Sequence, residues 1–270
     1  MVTDEDVEIF LNDLLELYGY DFTEYSRASI KRRINRLFLI DRFPSVAEFR
    51  YKLISDADYL RRIVEEITVN VTEMFRDPMF YRVLREEVLP ILATHPFIRI
   101  WHAGCSTGEE VYSMAIMLKE ANLLHKSLLY ATDINPLVLE KLKKGIFPLR
   151  HLKQYSENYI ASGGKKDFSD YYTAKYDLAK FDESLGRRVI SSTHNLVSDR
   201  SFNEFQLIMC RNVLIYFDKE LQDKTLTLFD ESLEKFGFLA LGSKENLKFS
   251  VIAKKYKQMD NKEKIWRKIL

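Results

Sequence analysis

Ile98-Arg99-Ile100-Trp101-His102-Ala103-Gly104-Cys105-Ser106-Thr107-Gly108-Glu109-Glu110-Val111-Tyr112-Ser113 reads as an apolar strand, then a tight turn of small residues, then a helix headed by two acids. Gly104 and Gly108 permit backbone angles closed to other residues, and Ala103, Cys105 and Ser106 add little bulk, so a ligand can approach the main chain closely. Acids at the end of such a turn argue against phosphate, because a dinucleotide fingerprint presents bare helix N–H groups to pyrophosphate and carboxylates there would repel it. Hydroxyls or an ammonium group suit them, which points to an adenosyl cofactor. Ser127-Leu128-Leu129-Tyr130-Ala131-Thr132-Asp133 is a second apolar strand ending in an acid, at the spacing where a nucleotide-binding sheet grips a ribose. The turn is not a strict GxGxxG, and alone it would pass for an ordinary loop. Acids at two successive strand ends favour the binding site.

A chain of 270 residues can bury a full core. With 46% hydrophobic residues, 30% charged residues and a net charge of +1, it reads as a globular protein without a global field for nucleic acid. No apolar run reaches the length of a membrane span, and Met1-Val2-Thr3-Asp4-Glu5-Asp6 is acidic where a signal peptide is basic, so a cytoplasmic location is expected. Cys105 and Cys210 are the two cysteines, each expected as a small buried residue in a reducing compartment.

The first ninety or so residues carry helical periodicity. Thr3 with Asp6 caps a helix whose apolar side is Val7, Phe10, Leu11, Leu14 and Tyr18 and which Gly19 stops. A second helix from Ser26 has Ile30, Ile34 and Leu37 on one side and Lys31, Arg32, Arg33 and Arg36 around the other. A solvated charged face and a docking patch for an acidic partner helix are equally good readings of that cluster. Ser45 with Glu48 caps a third helix, residues 57–67 form a fourth, and Asp77-Pro78 caps and opens a helix that runs to Leu89 and is ended by Pro90.

From Phe97 onward strands and helices alternate as in a doubly wound parallel sheet, with strands near 97–102, 127–132, 188–193, 204–209 and 237–242 and helices near 109–121, 136–144 and 219–235. The rhythm breaks between Phe147 and Arg188, where Gly163-Gly164 and a run of aromatics suggest an inserted hairpin or small antiparallel unit. The expected organisation is a helical domain over 1–68, a linker and connecting helix over 69–92, and a sheet domain over 93–270 with its insert at about 147–188. His194-Asn195-Leu196 and Cys210-Arg211-Asn212 follow two of the strands, at the edge where open α/β sheets bind ligands. Asn side chains there can hydrogen-bond an adenine rim or an amino-acid group, or simply satisfy neighbouring loops.

Six segments in order resemble the motif set of the bacterial chemotaxis receptor methyltransferases, the CheR family. They are Asn70-Val71-Thr72-Glu73-Met74-Phe75-Arg76-Asp77, the stretch from Ala103 to Ser113, Ala131-Thr132-Asp133-Ile134, His194-Asn195-Leu196, Cys210-Arg211-Asn212-Val213-Leu214-Ile215-Tyr216-Phe217 and Leu241-Gly242-Ser243-Lys244-Glu245-Asn246. The resemblance implies an S-adenosylmethionine-dependent protein-glutamate O-methyltransferase that releases S-adenosylhomocysteine. It further implies a class I, Rossmann-like methyltransferase sheet, an all-helical N-terminal domain and a small inserted β-subdomain for receptor docking. Carried over by position, it makes Asn70, Thr72, Arg76, Gly104, Glu110, Asp133, Asn195, Leu196, Arg211 and Asn212 cofactor-binding and places Arg76 and Tyr216 near the transferred methyl group. Val111 stands where the family usually has proline, and Lys244 interrupts a usual Gly-His-Ser-Glu.

The chemistry agrees with what the sequence lacks. A glutamate, with a pKa of about 4.3, is already ionised at neutral pH, so methylating it needs no general base, and no Ser-His-Asp or metal-ligand spacing is present. A catalytically silent cofactor-binding signalling module and a methyltransferase for another substrate are the alternatives. Near-zero net charge and the lack of an Asn-Pro-Pro-Tyr-like motif for a flipped base speak against nucleic acid. The expected partner is the cytoplasmic helical domain of chemoreceptors, met by the basic helix, with no membrane insertion, no metal and the protein a monomer. With nothing following Leu270, any tethering is expected to use residues already present.

Overall fold

The computed structural model describes residues 2–260 and 262–270. Four helices come first: α1 (Asp4–Tyr18), α2 (Arg27–Ile40), α3 (Val46–Ser55) and α4 (Ala57–Thr68). The Thr3 hydroxyl accepts from the Asp6 N–H at 3.2 Å while the Asp6 carboxylate accepts from the Thr3 N–H at 2.8 Å, a reciprocal cap that fixes where α1 begins. Gly19, at φ 74°, ends it. Val7, Phe10 and Leu14 of α1 meet Ile30, Ile34 and Leu37 of α2 around Phe22 and Phe49 in a core separate from that of the sheet.

The basic side of α2 differs from the uniform positive face expected of it. Lys31 pairs with Asp4 at 2.8 Å and Arg36 with Glu66 at 2.5 Å, while Arg33 turns inward, donating to the Glu66 carbonyl at 2.9 Å. Arg32 alone of the four is exposed and without an ion pair among the described residues.

After α4 the linker makes three left-handed turns at non-glycine residues, Val69, Phe75 and Asp77. It is pinned by Phe75 N–H donating to the Ser113 hydroxyl at 2.9 Å and by the Asn158 amide donating to the Met74 carbonyl at 3.0 Å. Asp77 does not cap the next helix as expected; its carboxylate binds Arg211 instead. That helix also outlasts Pro90. α5 (Pro78–Val83) passes through a π turn over Leu84–Val88 into α6 (Leu89–Leu92), and the wider turn accommodates a residue that cannot donate and would clash with the turn before it.

The sheet domain follows in the order β1 (Ile98–Ala103), α7 (Glu109–Glu120), β2 (Ser127–Asp133), α8 (Pro136–Lys144), β3 (Ile146–Pro148), α9 (Leu152–Ala161), β4 (Tyr172–Lys175), β5 (Leu178–Phe181), α10 (Glu183–Gly186), β6 (Val189–Thr193), β7 (Phe205–Cys210), α11 (Lys219–Ser232), β8 (Leu233–Leu241), β9 (Tyr256–Gln258) and β10 (Ile265–Lys268). The main sheet has the order β6-β2-β1-β7-β8-β10-β9. Its first five strands are parallel, with Ile98 opposite Ser127 and Ile100 opposite Leu207, and the near-continuous buried runs of β1 and β7 at its centre are what a sheet covered on both faces demands, while β6 at the edge is polar and largely exposed. β10 and β9 are antiparallel additions at one edge that the alternation of strands and helices did not reveal. The chain leaves β1 toward β2 on one side and returns through β7 on the other, which opens a crevice at the C-terminal end of β1.

The insert is the expected antiparallel unit, a three-stranded sheet in the order β3-β5-β4, with the unexpected helix α9 between β3 and β4. A buried carboxylate is one of the groups that join it to the rest. Glu120, at the end of α7 with its side chain 1% exposed, takes an ion pair from Arg85 and hydrogen bonds from the hydroxyls of Tyr159 and Tyr171 and the N–H of Lys165. Burial works against its ionisation, but the Tyr159 hydroxyl, the Arg85 charge and the Lys165 N–H together hold its pKa below the ordinary value.

A carboxyl group with a depressed folded pKa contributes stability that is complete above its unfolded value, about 4.3, and is lost as pH falls through the folded one. Glu120→Gln, which strands Arg85, is expected to lower unfolding free energy at neutral pH by about 3–5 kcal/mol in urea denaturation and to flatten the acid limb of stability against pH. An unchanged urea midpoint would refute the role given to this residue.

Candidate active site

A cavity of about 380 Å³ occupies the crevice at the C-terminal ends of β1, β2 and β7, a size typical of small-molecule sites. The linker from Thr68 to Thr72 covers one side, and Tyr25 with Ile215, Tyr216 and Phe217 forms another. The loops leaving β1 and β7 touch. At Gly104, φ 74°, an added Cβ would lie 2.5 Å from a Val213 methyl, so this position requires glycine for both its backbone angle and its closeness. The Gly104 and Cys105 N–H groups both donate to the Thr132 carbonyl, at 2.8 and 2.9 Å, which draws the β1 turn against the end of β2.

Two acids line the cavity, and their pKa values are shifted in opposite directions. Asp133 accepts from the N–H of Ser106 at 2.9 Å and of Asn135 at 3.0 Å; burial raises its pKa against the pull of these donors. Glu110 meets His102 Nδ1 at 2.8 Å and Arg211 Nη1 at 3.6 Å. Burial opposes its ionisation most strongly, yet His102 and Arg211 outweigh it and hold the carboxyl below its ordinary pKa. His102 is fully buried, so its contact with Glu110 is desolvated and fixes the carboxylate's orientation.

Arg211, its side chain 3% exposed, lies 4.0 Å from the centre of the Phe80 ring. From there Nη2 donates to Asp77 Oδ2 at 2.7 Å and to the Arg76 carbonyl at 3.1 Å, tying the linker to the cavity wall. The neighbouring loop is held from behind. Glu245, 5% exposed, accepts from the N–H groups of Asn212 at 3.0 Å and Val213 at 2.9 Å and from that of Gly242, and so stabilises Asn212 at φ 61°.

Nine of the ten predicted cofactor-binding residues border the cavity: Asn70, Thr72 and Arg76 from the linker; Gly104, Glu110 and Asp133 from the ends of β1 and β2; Leu196, Arg211 and Asn212 from later loops. Tyr216, predicted with Arg76 to lie near the methyl group, borders it too. Asn195 does not. Its side chain accepts from the Val197 N–H at 3.0 Å and its own N–H donates to Asp199 at 2.9 Å, so it is used in building its turn while His194 and Leu196 face inward. Tyr216 is fixed from the helical domain: its carbonyl accepts from Ser26 N–H at 2.8 Å, and the Arg33 guanidinium lies 5.3 Å from its ring centre. Sequence reasoning passed over Tyr25, His102 and Glu245 as functional residues. A histidine inside an otherwise apolar strand was a legible signal for the second, whereas nothing local marks Tyr25.

The donor set fits an adenosyl amino acid. Ser106 Oγ, Asn212 Oδ1, Arg211 Nε and His194 Nδ1 are buried at residues lining the cavity and have no partner among the described residues, and such polar atoms call for a ligand or water. No cluster of metal-ligating side chains occurs among the described residues. Cys105 and Cys210 are both buried free thiols.

Comparison with known proteins gives the same answer over nearly the whole chain. Residues 5–68 match a family model described as CheR methyltransferase, all-alpha domain, and residues 70–265 one described as CheR methyltransferase, SAM binding domain. The chain is 45% identical over 268 residues to a Pseudomonas putida protein designated Cher3, covering 98% of this chain and 97% of that one. It is 31% identical over 231 residues to a chemotaxis protein methyltransferase of Listeria innocua, with 85% of each covered. Chemotaxis protein methyltransferase 2 of Pseudomonas aeruginosa is 30% identical over 257 residues, covering 90% of this chain and 87% of that one. An all-helical domain joined to a class I methyltransferase sheet, with acids at two strand ends around an S-adenosylmethionine cavity, thus places this chain in the CheR methyltransferase family.

Proposed function

We propose that the protein transfers a methyl group from S-adenosylmethionine to glutamate side chains of chemoreceptors, giving methyl esters. The carrying observation is the composition of the cavity: its lining brings together two acids whose pKa values are shifted in opposite directions, Glu110 and Asp133, with Arg76 and Tyr216, and no metal-ligating cluster occurs among the described residues. When bound, S-adenosylmethionine supplies an electrophilic methyl on a positively charged sulfur. The remaining work is binding, alignment and exclusion of water, which this chain's residues can do.

Asp133 is suited to ribose hydroxyls, since its oxygens retain acceptor capacity beyond the two N–H groups they hold. Glu110, kept ionised by His102 and Arg211, is suited to an ammonium group. Asn70, Thr72, Leu196 and Asn212 complete the wall. Arg76 and Tyr216 are the groups assigned to the incoming carboxylate. A strong ion pair to Arg76 would blunt that nucleophile, so the weaker donor Tyr216 is given the reacting oxygen and Arg76 its orientation.

The receptor side of the reading uses α2. Arg33 is committed to Tyr216 and Lys31 to Asp4, which leaves Arg32 and, by exchange of its exposed ion pair, Arg36 to meet an acidic receptor helix. Exchange is cheap because an exposed pair contributes little.

Incubation with methyl-labelled cofactor and a cytoplasmic receptor fragment is expected to give base-labile label in the fragment; base-stable label would sink the glutamate assignment. In calorimetry, Asp133→Ala is expected to weaken S-adenosylhomocysteine binding about tenfold or more, and equal affinity would remove Asp133 from the site. Arg32→Glu with Arg36→Glu should lower methylation several-fold without altering that affinity. Methylation at the wild-type rate would exclude α2 as the docking face.

A further inference from the structure

The segment between β8 and β9 carries a feature that the reading above does not use. Between Gly242 and Gln258 the sequence has one acid, Glu245, and that side chain is buried against the backbone of Asn212 and Val213. The outward surface is therefore of one sign: Lys244, Lys248, Lys254, Lys255 and Lys257 are all exposed, and among the described residues only Lys255 has an ion pair, with Asp230. At the centre of these lysines the turn at 248–251 holds out two large apolar side chains, Phe249 at 85% and Val251 at 72% exposure. Folding gives no reason to leave both in water, and an apolar pair ringed by charge marks an interaction site.

Its position links it to the catalytic cavity. The Phe249 carbonyl accepts from Lys219 Nζ at 3.4 Å, and Lys219 opens α11 directly after the Tyr216-Phe217 wall. Glu245, at the start of the same segment, holds the cavity loop at Asn212. The Arg33 guanidinium of α2 lies over the Tyr216 ring, Lys219 three residues further along the chain contacts Phe249, and Val71 and Ile215 of the cavity lining are exposed.

We propose that the turn at 248–251, with its surrounding lysines, is a second docking surface for the substrate, binding an acidic amphipathic helix whose apolar stripe covers Phe249 and Val251. A glutamate-bearing helix would then be held at two places, α2 and this turn, each connected to the stretch from Tyr216 to Lys219, which sets its register at the cavity. This rests on the receptor-helix reading given above. Charge selects this occupant over an anionic lipid surface. Past Val251 the balance of charge turns negative: the groove along α11 is lined by Asp199, Glu220, Asp223 and Glu231 against Arg200 and Lys224. A flat anionic surface seated on Val251 would also meet those carboxylates, whereas a helix about 10–12 Å across need not.

The test is fluorescence anisotropy of a labelled, soluble helical fragment of a chemoreceptor cytoplasmic domain, titrated with the full chain saturated with S-adenosylhomocysteine. The variant Lys248→Glu/Phe249→Ser/Val251→Ser is expected to bind the fragment about tenfold more weakly, with S-adenosylhomocysteine affinity and melting temperature unchanged. Wild-type binding should weaken as salt is raised. Equal fragment affinity in variant and wild type overturns the proposal, as does no binding by the wild type. Phe249-dependent sedimentation with anionic phospholipid vesicles, together with fragment binding indifferent to the three changes, overturns it in favour of a membrane surface. Binding is read without turnover, so a protein that binds the fragment through Phe249 but transfers no methyl counts against the glutamate reading and leaves the docking surface standing.

Discussion

A buried guanidinium organises this molecule. Arg211 sits at the end of β7 with almost no exposure, and a charge removed from water persists only where it is paired and hydrogen-bonded. Its partners come from three parts of the chain: Glu110 at the head of α7, Asp77 and the Arg76 carbonyl in the linker, and the face of Phe80 in α5. Satisfying one side chain therefore brings the linker onto the crevice and sets the cavity's dimensions. The same contacts explain why Asp77 leaves its helix end uncapped. A carboxylate facing a desolvated cation is worth more than one facing a partial helix charge.

The cavity is built by groups held from behind. Glu245 takes no part in the lining, yet its carboxylate collects the N–H groups of the loop that presents Asn212. His102, inside β1, does the same for Glu110. Burial raises the pKa of both Asp133 and Glu245, but that of Glu110 is lowered against burial by its hydrogen bond with His102 and by the nearby Arg211 guanidinium. One pocket thus holds an acid bound by backbone N–H groups and an acid beside a guanidinium, which suits a ligand with hydroxyls at one end and an ammonium at the other.

The helical domain contributes to the site as well as to its surroundings. Tyr25 bridges to Phe217, Ser26 holds the Tyr216 carbonyl, and the Asp218 N–H donates to the Glu24 carbonyl, so a short stretch before α2 is stitched to the cavity wall. α2 and the residue before it are therefore in direct contact with Tyr216. Glu120 plays the corresponding part for the insert, gathering Arg85, Tyr159 and Tyr171 onto the end of α7.

The amino-acid sequence determined the elements and the chemistry at their ends. The alternation of apolar runs with helical periods, the turn at Gly104 and the acids heading α7 and closing β2 are local signals, legible because period, backbone freedom and charge act over a few residues. The antiparallel edge of β9 and β10, the helix running past Pro90 and the helix inside the insert were not legible, since each is settled by what packs against it. Asn195 shows the limit within the site: its motif placed it at the cofactor, but its hydrogen bonds to Val197 and Asp199 turn it into its own loop. The basic helix shows the same limit on the surface, where acids distant in sequence neutralise Lys31 and Arg36. Only tertiary structure could decide which side chains are already satisfied by neighbours and which still face the cavity, because pairing depends on groups that the chain brings together from far apart.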